Sequence, residues 1–170
     1  MRAVRRYSAS RRTTSTRGVQ TQTPGGIRAR RRDIEGQHGR ALVSWADCAA
    51  ASRPALRYLL HVPNGGARSA RTGAELKRQG VRRGVWDYLL PLPRHGGGGQ
   101  AYAGLWIELK EPGERRKSRG GLSPHQIEFG HFVRSNEYAT VVAYDWIEAR
   151  DAITAYLDGQ VVPFFWRPQG

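Results

Sequence analysis

Residues 105–110 read Leu-Trp-Ile-Glu-Leu-Lys, an apolar run that ends with Glu108 and Lys110 two residues apart. The run has the composition of a buried strand, and in a strand positions two apart share a face. Glu108 and Lys110 therefore point the same way, with Leu109 pointing the other. An unpaired ion out of water costs several kcal/mol at least. The fold must either solvate this strand end or use the two charges to hold something together.

A second apolar stretch, residues 85–92 (VWDYLLPL), carries Asp87, twenty-one residues before Glu108. The glycine-rich segment PRHGGGGQ joins the two stretches, which predicts an antiparallel hairpin with a tip of variable shape. Pairing of that kind can bring Asp87 alongside Glu108. Two close carboxylates raise one another's pKa unless a cation sits between them. Two or three oxygen ligands plus water suit Mg²⁺ or Mn²⁺. A lysine beside such an ion can orient a water or stabilise developing negative charge. The spacing Asp-x₂₀-Glu-x-Lys also fits a surface strand end with an ion-paired patch, so the triad by itself leaves both readings open.

The 170 residues suffice for one domain with a hydrophobic core. The 28 Lys+Arg against 14 Asp+Glu give a formal +14, which favours a polyanionic partner. Ten of those arginines, and no acid, lie in residues 1–32. That segment is poor in apolar residues and is expected to be a disordered arm, either a plain tail or one that contacts DNA. Its composition also fits a transit peptide, but an amphipathic apolar face is missing. No apolar run reaches bilayer length, so no membrane association is expected. The single cysteine, Cys48, excludes a disulfide framework and a cysteine zinc site and fits a reducing compartment.

Residues 33 to about 51 read as a helix capped by Asp33, with Glu35, Leu42, Trp45 and Ala49 on one face. Residues 56–62 (LRYLLHV) read as a strand, followed by the turn PNGG. Residues 67–80 read as partly helical, with Gly80 as C-cap. Strands are expected over 85–92 and 101–110, then a mobile charged loop over 111–121. Ser123 with Pro124 at the first helical position marks the next helix. A strand over 137–144 and a helix over 145–157, capped by Asp145, complete the pattern, and residues 159–170 form an aromatic tail. This order predicts an α/β domain, a mixed sheet with helices on its faces. His61, His95, His125 and His131 show no metal-ligand spacing and are read as structural or solvent-facing.

Taken together, residues 56–69 (LRYLLHVPNGGARS), 84–94 (GVWDYLLPLPR), 104–112 (GLWIELKEP) and 122–129 (LSPHQIEF) resemble the VRR-NUC branch of the PD-(D/E)XK nuclease superfamily. The strand EYATVVAY and the helix ALVSWA fit the same order, so the likeness spans roughly residues 35–157. It implies a restriction-endonuclease-like mixed sheet of about four strands flanked by helices, with the nuclease domain over 33–158. Asp87 and Glu108 look like the metal-binding carboxylates, with the Leu109 carbonyl as a further oxygen ligand. Lys110 would position or activate the attacking water, and Gln126 would support Lys110 or that water. Glu35 looks like the acidic residue of the first helix, on its inward face, and would be a further metal ligand; Asp33 competes for that role but reads better as the cap. Two positions depart from the family pattern: Trp86 stands where proline is usual, and Gly39 where a polar residue is expected. The second departure weakens the case for Glu35.

The PNGG segment has two readings. It merely reverses the chain, or Asn64 and the Gly65 amide line the site while Arg68 holds a phosphate. The basic stretch that includes Arg71 and Lys77 fits a backbone-tracking surface and equally a solvated face. The resemblance implies a Mg²⁺- or Mn²⁺-dependent DNA endonuclease with no small-molecule cofactor. It further implies a homodimer acting on branched DNA, such as four-way junctions or flaps, in the cytoplasm of a bacterial or phage-infected cell. A sequence-specific restriction-type nuclease and a non-catalytic basic nucleic-acid-binding protein are the alternatives. The segment Phe-Phe-Trp at 164–166 is either an interface element or a clamp on its own domain.

Overall fold

The computed structural model describes residues 33–63, 70–96, 99–164 and 166–167. The Arg-rich arm, Asn64, Gly65 and Arg68, the centre of the glycine tip, Phe165 and the side chain of Arg71 lie outside the described residues. Helix α1 (Ile34–Ala49) starts as its cap chemistry predicts, with the Asp33 carboxylate accepting from the Gly36 amide at 3.0 Å. Leu42 and Ala46 are buried on its inward face. Gly39 is buried too, and a Cβ there would meet the Tyr88 hydroxyl at 2.7 Å. The departure from the expected polar residue is therefore a close packing contact between helix and sheet.

The expected strand over 56–62 is mostly a turn. Pro54 opens a 3-10 turn, Pro54–Tyr58, and only Leu60–His61 pairs as β1. Proline's fixed φ and missing N–H suit the first position of a helical turn and not a ladder. Helix α2 (Ala70–Arg78) closes with the Val81 amide on the Leu76 carbonyl and the Gly80 amide on the Lys77 carbonyl. Gly80 has φ +98°, which makes this a glycine-terminated helix end of the predicted kind.

Strand β2 (Tyr88–Leu90) is shorter than expected. The chain before it leaves the sheet to lie on a later helix. Gly84, with φ +81°, sits so close to the His125 backbone that a Cβ would fall 2.4 Å from it. Only glycine meets both demands. Arg94–His95 (β3), from the segment expected as a loose glycine tip, pairs with Ala101–Tyr102 (β4), the start of the expected strand over 101–110, in a separate two-stranded ribbon. Gly104–Leu109 (β5) and Tyr138–Ala143 (β6) follow.

The main sheet runs β1-β2-β5-β6, with β1–β2 and β2–β5 antiparallel and β5–β6 parallel. Tyr88 pairs with Ile107 and Leu89 with Trp106. One further step in this register sets Asp87 opposite Glu108.

Alternation along β5 separates two cores. Leu105, Ile107 and Leu109 pack toward α1 and α4 (Trp146–Leu157), against Leu42, Ile153 and Tyr156. The opposite face holds Trp86, Leu122 and Val142, covered by Ile127 and Phe129 of α3 (Pro124–Ser135). Each large apolar side chain so buried contributes about 1.5–3 kcal/mol. Trp166 joins this second core edge-on to Trp86 at 5.7 Å, with its amide on the Thr140 carbonyl at 2.9 Å. Of the two readings of the tail, Trp166 follows the clamp on its own domain.

The mobile loop expected after β5 is instead two consecutive 3-10 turns, Pro112–Arg116 and Ser118–Gly121. Side-chain contacts to the end of β6 and to α4 hold them. Among the described residues, no helix is long and apolar enough to cross a membrane.

Candidate active site

The end of β5 brings Asp87, Glu108, Leu109, Lys110 and Gln126 together. Glu108 is wholly buried. Its Oε1 receives the Lys110 ammonium at 2.7 Å and also the side-chain amide of Gln126. Asp87, on the neighbouring chain, accepts from the Leu109 amide at 3.0 Å through Oδ2. That bond replaces the ladder contact a longer β2 would have made and ties the Asp87 carboxylate to the strand between Glu108 and Lys110.

Gln126 owes its place to local sequence. Ser123 Oγ accepts from the Gln126 amide at 3.3 Å, and Gln126 Oε1 accepts from the Ser123 amide at 2.8 Å. This is the reciprocal cap that Ser-x-x-Gln encodes. With Oε1 engaged there, Gln126 has its NH₂ group free to donate to Glu108. The expectation that Gln126 supports Lys110 or a water is refined accordingly: its partner is Glu108. Trp86, not singled out as a site residue, completes the support by donating from Nε1 to the Gln126 carbonyl at 2.9 Å.

The electrostatics follow from this burial. The Glu108 carboxyl is pushed up to about 8, first by burial and then by the charge of Asp87, with Lys110 pulling the other way. Burial also raises Asp87, against the Leu109 amide and the Lys110 charge. Burial is likewise the main cause for Glu35, with Lys110 opposing and Asp87 reinforcing. Lys110 is lowered by burial, but the pull of Glu108, and then of Glu35 and Asp87, carries it above its ordinary value. The three acids and the lysine thus form one electrostatic unit.

A cleft of about 870 Å³ opens beside the site, lined by Glu35, Asp87, Leu109 and Glu111 among others. Among the described residues, no three His, Cys, Asp or Glu side chains converge into a ready-made metal cage. The donor set nevertheless fits a hard divalent ion. Glu108 Oε2 is buried without a hydrogen-bond partner, Asp87 is its electrostatic neighbour, and Mg²⁺ needs only one or two carboxylates besides water. Glu35 lines the same cleft from the first turn of α1. Lys77 is exposed in the last turn of α2 and is not part of the cleft wall.

The sign of the Glu108 shift gives a stability expectation. In the metal-free folded state Glu108 keeps a proton that the unfolded chain releases between about pH 4.5 and 8. Its contribution to stability therefore falls as pH rises through that window. Melting curves in chelator, wild type against Glu108→Gln, should converge or cross as pH climbs. Curves that stay parallel across the window would contradict the raised carboxyl.

Among solved structures, the chain aligns with a "VRR_NUC domain protein" at a TM-score of 0.59, with 24% identity, over 75% of this chain and 91% of that one. The fold is that of a VRR-NUC domain. No protein-family model and no curated protein matches the chain. The VRR-NUC fold assigns the architecture, a four-stranded mixed sheet with flanking helices. The fold does not fix the chemistry, which resides in the site's own residues.

Proposed function

We propose that this protein is a divalent-metal-dependent DNA endonuclease, acting as a homodimer on branched DNA. The observation that carries the reading is the Asp87–Glu108–Lys110 cluster around the buried Glu108, which is fixed by Gln126 and left with one unpartnered oxygen. A purely structural ion pair would satisfy both carboxylate oxygens, because an unpaired buried acceptor costs about 1–3 kcal/mol. Asp87, Glu108 and the Leu109 carbonyl would hold Mg²⁺ or Mn²⁺, with Glu35 as a further carboxylate from the same cleft. When bound, such an ion supplies Lewis acidity and lowers the pKa of water.

The chain's own residues do the rest. Lys110 carries a positive charge at the strand end, where it orients a water and offsets negative charge that develops on the phosphate. Gln126 holds Glu108 in one rotamer, so the carboxylate is organised before substrate arrives. The excess of basic side chains favours a nucleic-acid substrate, and the resemblance to the VRR-NUC family adds the preference for junctions or flaps.

The test is cleavage of matched four-way-junction, flap and linear DNAs in Mg²⁺ or Mn²⁺, with chelator as control. Branched substrates should be cut faster than linear duplex, and chelator should stop cleavage. No cleavage of any DNA with either metal would overturn the nuclease reading. Equal rates on all three substrates would overturn the preference for branches.

A further inference from the structure

Backbone phosphates need cations near the cleft, and the described cleft wall offers few. Asp33, Glu35, Asp87 and Glu111 line it, and its arginine, Arg40, is ion-paired to Asp33 at 3.4 Å. The cations stand next door. Residues 112–121 leave the sheet just after Lys110 and return at Leu122, just before the cap of α3 that carries Gln126. Both ends of this segment are therefore anchored by residues of the candidate active site.

The segment is also built to hold one shape. Arg115 pairs with Glu148 on α4 and lies over the Tyr144 ring, 4.3 Å from its centre. Glu148 accepts from the Tyr144 amide at 2.9 Å, and the Tyr144 hydroxyl donates to the Gly120 carbonyl at 3.0 Å. Gly120, at φ +61°, leaves no space for a Cβ, which would fall 2.2 Å from that hydroxyl. Lys117 is held by Glu114. The Tyr144 hydroxyl is raised by burial and feels the charges of Arg115, Glu148 and Lys110, so the latch and the catalytic lysine share one field.

Two of the four cations are thus committed to internal contacts. The other two, Arg116 and Arg119, are exposed and have no partner among the described residues. Arg119 is moreover held at φ +59°, a conformation that side chains with a Cβ rarely adopt. The surrounding contacts impose it.

We infer that residues 112–121 form a preorganised phosphate clamp, in which Arg116 and Arg119 hold backbone phosphates of the DNA strand presented to Lys110. The identity of the ligand as DNA rests on the nuclease reading above. The cation arrangement does not.

Binding of the full chain to duplex and single-stranded DNA, measured by anisotropy in chelator across a salt series, tests it. Arg116→Ala/Arg119→Ala should lower the slope of log K against log salt by about 1.8 on duplex or about 1.4 on single strands, two phosphate contacts' worth. The charge-matched control Arg57→Ala/Arg94→Ala should leave it near wild type. Tyr144→Phe keeps every charge but unties the latch, and should weaken binding. An equal fall in both double variants would mean bulk charge and overturn the clamp, as would an unchanged slope in the first. Wild-type binding by Tyr144→Phe would overturn its preorganisation. Glu108→Gln, assayed for cleavage in parallel, separates the two ideas. A normal slope in Arg116→Ala/Arg119→Ala with cleavage lost in Glu108→Gln sinks the clamp alone. A reduced slope with cleavage intact in Glu108→Gln sinks the nuclease site alone.

Discussion

Glu108→Gln lowers single-turnover DNA cleavage in Mg²⁺ by at least about 10²–10³-fold, while DNA is still bound. The magnitude is that of removing one preorganised charged group from a water-poor site. The substitution keeps the shape and the bond from Gln126 to position 108, since a glutamine carbonyl still accepts. It removes the negative charge, and with it the attraction for a divalent ion and the ion pair to Lys110. Lys110→Ala should cost as much by the opposite route. It leaves Glu108 buried without its cation, so the carboxyl rises further above 8 and binds metal less readily at neutral pH. The two losses share one pair and should not add in the double variant. Retention of more than about a tenth of wild-type cleavage by either single variant would remove Asp87–Glu108–Lys110 from the chemistry.

The part of this site that lies within one strand was legible from sequence. Period-two alternation puts Glu108 and Lys110 on one face, and the hairpin then sets Asp87 opposite Glu108; the observed register carries both steps. Caps were legible for the same local reason: Asp33, Ser123 and Asp145 each satisfy the amide three residues on. Features that depend on distant packing were not. The Ser-x-x-Gln cap is a local signature, but its second use, donating to Glu108, requires α3 to dock on the end of β5. Residues 56–62 carry a strand-like apolar run, and Pro54 turns the first of them into a 3-10 helix. Residues 112–121 look like a solvated loop, because the aromatic ring and carboxylate that fix them come from Tyr144 and Glu148, some thirty residues away.

Trp86→Ala should cost about 3–5 kcal/mol, the range for truncating a buried tryptophan, and lower the melting temperature by roughly 10–15 °C. Trp86 is fully buried and packs edge-on against Trp166. Gly130 on α3 gives it room, since a Cβ there would lie 2.7 Å from the indole. The same ring holds α3 in place through the bond from Nε1 to the Gln126 carbonyl. The cavity therefore loosens the helix that carries the partner of Glu108, and cleavage should fall more than the folded fraction does. Trp86→Phe fills most of the volume but lacks the N–H, so it isolates the positioning effect. It should melt within a few degrees of wild type yet cleave more slowly, with the loss in kcat and not in DNA affinity. Wild-type kcat in Trp86→Phe would reduce Trp86 to a core residue with no bearing on the site. A wild-type melting temperature in Trp86→Ala would contradict the packing itself. The residue that stands where VRR-NUC domains usually have proline thus links the second core to Glu108, and proline at that position could supply neither the ring nor the hydrogen bond.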